Sequence, residues 1–379
     1  MKGLNWLKVA IFISISFSIL SQMPLIIKSG LSGVLQLIWG WPLVILIHHG
    51  RIGFGLKLST PLIAWLLFLI FILVVGSISL YDYYSLPNIK NMSLAILMLF
   101  MGFLSAKEIT VNSFSKILSW SCLISGLLLS ISIREYAFTT INLNSVAYAY
   151  AAKNSASLII FSCFVIVLHL FLQKNYGLRV VKYMSCFIFC FLILILKSRA
   201  TILGFAVVCI IAIISQKQKK RISYILSGIL IFLLFSFLFP SYLNILIDNI
   251  LFNNHSGTDL DALSSGRLTQ YEQFPKLFSE NILLGRGRYY IENFFMTSLV
   301  EVGIVGFIPI LIFLSWPIYL MRNINLENKF DKVIITLLIV YYLNSLFEEQ
   351  APLGPGAKCF IIWLLIGFYA YRVYSLKKS

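Results

Sequence analysis

The dominant constraint on this chain is a succession of apolar runs, each long enough to cross a hydrocarbon layer, separated by short basic loops. A crossing helix needs about 20 mostly apolar residues, because without water every backbone N–H and C=O must be bonded inside the segment. On that ruler the sequence predicts spans near 7–27, 31–48, 59–80, 92–106, 114–133, 152–172, 183–197, 199–215, 222–239, 301–320, 333–348 and 359–374. The expected fold is all-α, a polytopic integral membrane protein of about 12 transmembrane helices. A mean hydropathy of +0.91 and a charged content of only 12% exclude a soluble domain.

The net charge of +16 would point to nucleic acid in a soluble protein, but here it tests orientation. With the N-terminus cytoplasmic, inner loops and tails hold 19 of the 30 Lys and Arg residues, most densely in QKQKKR at 216–221. That asymmetry predicts a multi-pass membrane protein with both termini cytoplasmic and no nucleic-acid partner. The acidic residues run the other way, with 11 of 14 on the outer face. Acidic residues contribute little to orientation, so the outer face is expected to have its own chemistry. Lys2 and Lys8 precede an apolar run as in a signal peptide, but no small-residue cleavage site follows, and an uncleaved first helix is expected. The six cysteines all lie in apolar runs, and no Cys or His completes a metal set around Cys186 and Cys190, so packed free thiols are expected.

Neither a repeat nor a linker composition divides the chain, which reads as one transmembrane domain over 1–379 containing a large outer loop at 240–300. Asn253, Asn254, Ser256 and Gly257 mark turns in that loop. From Ser264 the pattern changes: Leu268, Tyr271, Phe274 and Phe278 recur at helical spacing behind a cap candidate at Ser264 or Ser265, predicting a short amphipathic helix on the membrane surface with Pro275 as a bend. Gly285-Arg286-Gly287-Arg288 lacks the spacing and the preceding strand of a dinucleotide loop, and reads as a flexible turn. Asn293, Thr297 and Glu301 then fall at i, i+4, i+8, a polar stripe on the helix that follows.

Five of the 11 basic residues on the outer face are arginines: Arg134, Arg199, Arg267, Arg286 and Arg288. An arginine fork matches phosphate oxygens bidentately, so an outer Arg cluster beside a bilayer points to a phosphate-bearing ligand. Arg199 sits between two apolar runs with almost no loop; it either snorkels to headgroups or faces a cavity as a fixed charge. Arg267, Arg286 and Arg288 either contact ligand or pair with carboxylates such as Asp259, Asp261 and Glu272. Outer candidates for acid/base work are Glu135, His255, Glu292, Glu301, Glu348 and Glu349. Glu292 comes first because it opens the helix with the polar stripe, although at i, i+4 from Arg288 it is equally a structural partner for that residue. His48, His49 and His169 lie at span ends and read as interfacial or packed.

Several short stretches resemble the O-antigen ligase and O-antigen polymerase superfamily of bacterial envelope glycosyltransferases. Lys197-Ser198-Arg199-Ala200 is similar to the family's SR-containing turn at a helix start. Ser265-Gly266-Arg267, followed by Leu284-Gly285-Arg286-Gly287, resembles its SGR, short helix and G-x-G turn. Glu292-Asn293, followed by Glu301-Val302-Gly303-Ile304-Val305-Gly306, resembles its H-N…E-x-G-x-x-G stretch, and Asn144 is similar to a family Asn. One position departs: Glu292 stands where ligases place a histidine, which favours a polymerase.

The resemblance implies an undecaprenyl-diphosphate-linked oligosaccharide as donor. It also implies polymerisation of O-antigen or capsular repeat units at the periplasmic face, with membrane lipids and a chain-length regulator protein as partners. Arg199, Arg267, Arg286, Arg288 and Asn293 would contact diphosphate or glycan, with Arg199 and Glu292 catalytic. No cofactor and no metal are expected, since the diphosphate is already activated and the outer loops carry no DxD-like pair. The competing readings are a ligase that moves finished polymer to lipid A core, and a flippase for the same lipid. A flippase would distribute charges through the midplane of many spans, whereas these spans are nearly charge-free.

Overall fold

The computed structural model describes residues 2–48, 58–78, 86–140, 153–172, 175–196, 198–216, 221–223, 267–349, 351–354 and 356–376. Among these residues there is no strand, and the fold is all-α and polytopic. In chain order the helices are α1 (Lys2–Leu20), α2 (Pro24–Lys28), α3 (Ser32–Gln36), α4 (Gly40–His48), α5 (Ser59–Ile78), α6 (Leu86–Glu108) and α7 (Val111–Thr140). They continue with α8 (Lys153–Leu170), α9 (Tyr176–Ile195), α10 (Arg199–Ile214), α11 (Arg267–Ser279), α12 (Phe294–Leu320), α13 (Lys329–Asn344) and α14 (Ala357–Leu376).

Six of them, α5, α6, α7, α9, α12 and α14, are long and apolar enough to cross a membrane by length and composition. Shorter apolar helices at Asn5–Leu20, Ser32–His48, Asn154–Leu170 and Arg199–Ile214 fall on further expected spans. The expected span 222–239 and the loop residues 240–266, with His255, Asp259 and Asp261, lie outside the described residues, as do Asn144 and Lys197. The first span ends at Leu20 rather than at 27, because Pro24 has no N–H to continue the helix and instead opens α2.

Helix α14 is the centre of the bundle: 83% of its span is buried, against 28% for α5 and for α9 on the perimeter. It packs most closely on α6, where a Cβ added to Gly367 would stand 2.1 Å from the Leu99 carbonyl oxygen and one on Gly102 would stand 2.0 Å from that of Leu364. Lipid is as apolar as a leucine side chain, so close backbone approach through small residues, rather than a hydrophobic gain, holds such helices together. Phe114 stacks on Phe368 at 4.1 Å, and Phe330 meets Phe368 edge-on at 5.6 Å. Of the six cysteines, all free, Cys122, Cys163, Cys186 and Cys359 are buried, as a packed thiol should be, while Cys209 is exposed.

A second close approach through a small residue involves α10. Gly204 of α10 faces Val340 of α13 and Phe161 of α8, which would sit 3.2 and 2.9 Å from an added Cβ.

Candidate functional site

The site is built around a break in α12. Gly303 has φ 61° and ψ −172°, a conformation open essentially to glycine alone, and it interrupts the helix between Val302 and Ile304. A continuous helix would bond Ile304 N–H to the Val300 carbonyl and Val305 N–H to that of Glu301. Instead the loop ahead of the helix supplies all four partners. Arg286 N–H donates to Val300 O (2.9 Å), Gly287 N–H to Glu301 O (3.2 Å), Ile304 N–H to Ile282 O (2.9 Å) and Val305 N–H to Leu283 O (3.1 Å). Unpaired backbone groups at this depth would cost about 1–3 kcal/mol each, so the loop and the break are stable only together.

The approach admits no side chain. A Cβ on Gly303 would lie 2.4 Å from Leu283 O, and one on Gly285 (φ 77°) 2.3 Å from Glu301 O. The Gly285–Arg288 segment is therefore clamped, in contrast to the flexible turn expected from its glycines. The clamp fixes the exit points of both arginines.

Below it, Asn293 caps α12, its Oδ1 accepting from Phe295 and Met296 N–H at 3.0 and 3.1 Å. Thr297 turns inward: its hydroxyl donates to Ile291 O (2.7 Å) and accepts from Ile291 N–H (3.2 Å). Glu301 is 3% exposed; the Tyr289 backbone bonds its carboxylate, and Arg288 and Glu349 lie within its electrostatic reach. All three residues of the expected polar stripe are buried and used inside the protein.

Helix α11 lies across this surface with no fully buried residue, Phe274 and Phe278 stacked at 5.6 Å. Its first residue, Arg267, donates through Nε to Glu292 Oε2 at 2.6 Å, stacks over Phe347 at 5.6 Å and reaches Phe347 O at 3.4 Å. Gln270 Oε1 accepts from Glu292 N–H at 2.8 Å, and the Tyr271 hydroxyl donates to Leu346 O at 3.1 Å. The other oxygen of Glu292, Oε1, meets the Tyr290 hydroxyl at 3.3 Å. Burial and the Glu292 charge push the Tyr290 phenol up to about 12, so it remains a donor. The ion pair leaves the two side chains 19% and 29% exposed, a setting in which it contributes about 1–2 kcal/mol.

Of the two roles open to Glu292, a pairing with Arg288 is not what the structure contains: its partner is Arg267, 25 residues away in sequence. Arg286 is held by Glu280 at 2.8 Å and covers the Tyr289 ring at 5.4 Å. Arg267, Glu292 and Asn293 come together directly, and Arg286 and Arg288 leave the adjoining clamp. Arg199 is half-buried at the head of α10, behind Ser198, whose hydroxyl is 3.0 Å from that of Thr201.

One wall of the site was not foreseeable as such, the turn Ser345–Glu349 between α13 and α14. Its carbonyls receive Phe294 N–H (Ser345, 2.9 Å), Asn293 Nδ2 (Leu346, 3.4 Å), Tyr271 and Arg267, and Glu348 pairs with the fully buried Lys358. Glu348 and Glu349 stand out in the sequence as outer carboxylates, but a carbonyl that serves as acceptor leaves no residue-type signal. Among the described residues no group of three or more His, Cys, Asp or Glu is placed to hold a metal ion.

Arg267, Arg286, Arg288, Glu292 and Glu301 are thus gathered around the broken N-terminal part of α12 in an all-α bundle. Residues 184–311 match the family model described as O-antigen ligase, which supports assignment to the O-antigen ligase and polymerase superfamily of membrane glycosyltransferases. The matched stretch runs from α9 through Arg199, α11 and the clamp to just beyond Gly306, and stops short of Ser345–Glu349. No curated protein matches the sequence.

Proposed function

We propose that this protein polymerises undecaprenyl-diphosphate-linked oligosaccharide repeat units into O-antigen or capsular polysaccharide. The site faces the periplasm, the protein resides in the inner membrane with both termini cytoplasmic, and a chain-length regulator protein is a partner. The observation that carries the choice of polymerase over ligase is Glu292, a carboxylate where the ligases resemble one another in having histidine, held in the site by Arg267.

In this reading the acceptor sugar hydroxyl attacks the anomeric carbon of the donor. The new C–O bond forms as the bond to the diphosphate breaks, and the electron pair leaves with the lipid diphosphate. Arg199, Arg286 and Arg288 take the charge that develops there, while Asn293, expected from the sequence to contact the glycan, has its side chain engaged by α12 and the Leu346 carbonyl and serves to hold Glu292 in place. The hydroxyl proton passes to Glu292 Oε1. Oε2 is occupied by Arg267, which orients the carboxylate, while Oε1 has only the long contact to Tyr290, which an incoming hydroxyl can replace.

A strain lacking the gene distinguishes the readings on a polysaccharide gel. A single repeat unit on core supports the polymerase, bare core with accumulated lipid-linked polymer indicates a ligase, and absence of periplasmic repeat units indicates a flippase. Arg199→Ala is expected to abolish the long-chain ladder while the protein stays in the membrane; a normal ladder overturns the assignment. Glu292→Gln, which keeps an acceptor for Arg267, is expected to lower turnover about 100-fold or more. Near-normal turnover in that variant removes Glu292 from the proton transfer.

A further inference from the structure

The turn between α11 and the clamp carries three consecutive large apolar side chains on its surface. Ile282, Leu283 and Leu284 are all exposed, Leu283 to 62%. A single exposed leucine needs no explanation, but a run of three at the tip of a turn marks a contact surface. The tip has a charged neck: Glu280 and Arg286, on either side of residues 281–285, are joined at 2.8 Å.

The bonds of this tip to α12 fix its depth. The carbonyls of Ile282 and Leu283 accept from Ile304 and Val305 N–H at 2.9 and 3.1 Å. No charged residue lies between Ile304 and Arg322 at the far end of that helix. The rise over this stretch is about 27 Å at 1.5 Å per residue, within a hydrocarbon thickness of about 30 Å. Ile304, Val305, Ile308 and Leu311 are exposed along it, and α5, whose Phe71 packs on Gly306, exposes Ile70, Leu73 and Val74 around that contact. The tip therefore joins the apolar perimeter of α5 and α12. Its backbone is also bonded from within: Leu284 N–H donates to Asn281 Oδ1 at 3.2 Å and Gly285 N–H to Asn281 O at 2.9 Å. Water would serve such groups equally well, whereas in lipid only internal partners can.

We infer that Ile282, Leu283 and Leu284 form a wedge inserted among the acyl chains of the bilayer leaflet on the side of the candidate site, with the Glu280–Arg286 pair at the headgroup level. The change from charged neck to apolar tip within a few residues matches the order in which a bilayer presents headgroups and then hydrocarbon. Part of the segment expected as an outer loop thus returns to the membrane, and three apolar residues are too few to register as a span. Insertion steadies the clamp, because the backbone that carries the wedge also supplies the acceptors that replace the helical bonds lost at Gly303.

The test uses the full chain in nanodiscs of phosphatidylethanolamine and phosphatidylglycerol, which leave both faces open to water. Cys190 and Cys209 are replaced by serine and the other four cysteines are buried, so L283C introduces one reactive thiol, with I308C as the lipid-facing reference and E272C on exposed Glu272 as the aqueous one. The clamp uses the backbone of residue 283, so L283C leaves its bonds in place. A charged methanethiosulfonate is expected to modify position 283 at least about 10-fold more slowly than position 272 and about as slowly as position 308, because a thiol in hydrocarbon does not ionise. A fluorophore attached at position 283 in detergent before reconstitution is expected to be quenched by lipids carrying a spin label on the acyl chain, as at position 308, and not by iodide. Modification at position 283 as fast as at position 272 overturns the wedge in favour of a loop in water. Slow modification without quenching by the spin-labelled lipids overturns it in favour of cover by protein.

Discussion

Helices α12 and α14 both rely on glycine, in opposite ways. In α14, Gly367 lets the helix touch α6 without interrupting α14. In α12, Gly303 breaks the helix, and the freed carbonyls and amides bond to residues 282–287. The first glycine tightens the core of the bundle; the second opens a helix at the edge of the site and recruits a loop to close it. The backbone chemistry is the same in both, so what separates the two contacts is whether hydrogen bonds are displaced and where they go.

The comparison is broken most severely at the core. Gly367→Val places a branched side chain where even a Cβ would stand 2.1 Å from Leu99 O, and since backbone rather than a flexible side chain is in the way, the helices must separate. A loss of several kcal/mol is expected, measured as failure of the protein to accumulate in the membrane. Gly303→Ala meets both a forbidden backbone conformation and the Leu283 carbonyl 2.4 Å away. Here about 2–4 kcal/mol is expected to be lost locally. Protein should still be found in the membrane, with polymer absent on a gel and the 282–287 segment newly open to protease; equal loss of protein in the two variants would erase the distinction drawn between the two glycines. The smallest effect is expected from Thr297→Val, which keeps the shape but leaves the Ile291 N–H and carbonyl without their hydroxyl partner. A destabilisation of about 1–2 kcal/mol is expected, with weakened rather than abolished polymer synthesis.

Much of the fold was legible because bilayer physics leaves little choice: apolar runs of this length must be helices, and their ends fall near the basic loops. The departures have local causes. Pro24 ends the first helix early. Gly303 and Gly285, read separately as a helix residue and a flexible turn, act as two halves of one contact. The candidate site was legible by residue type, since arginines and glutamates in an outer segment of an apolar chain stand out, and by resemblance at Gly285 and Glu292-Asn293. Its pairings were not: helical spacing offers Glu292 a partner in Arg288, whereas the folded chain brings it Arg267 from α11.

The sequence by itself determined a polytopic helical membrane protein with an arginine-rich polar segment, because hydropathy, loop charge and the need to bond every peptide group inside lipid act on each segment locally. Only the tertiary structure decided that Glu292 holds Arg267 and that the carbonyls of Ser345, Leu346 and Phe347 wall the site. Those outcomes depend on the direction and register in which helices pack and on a helix broken where a loop can replace its bonds, and contacts between distant segments leave no period or spacing in the chain.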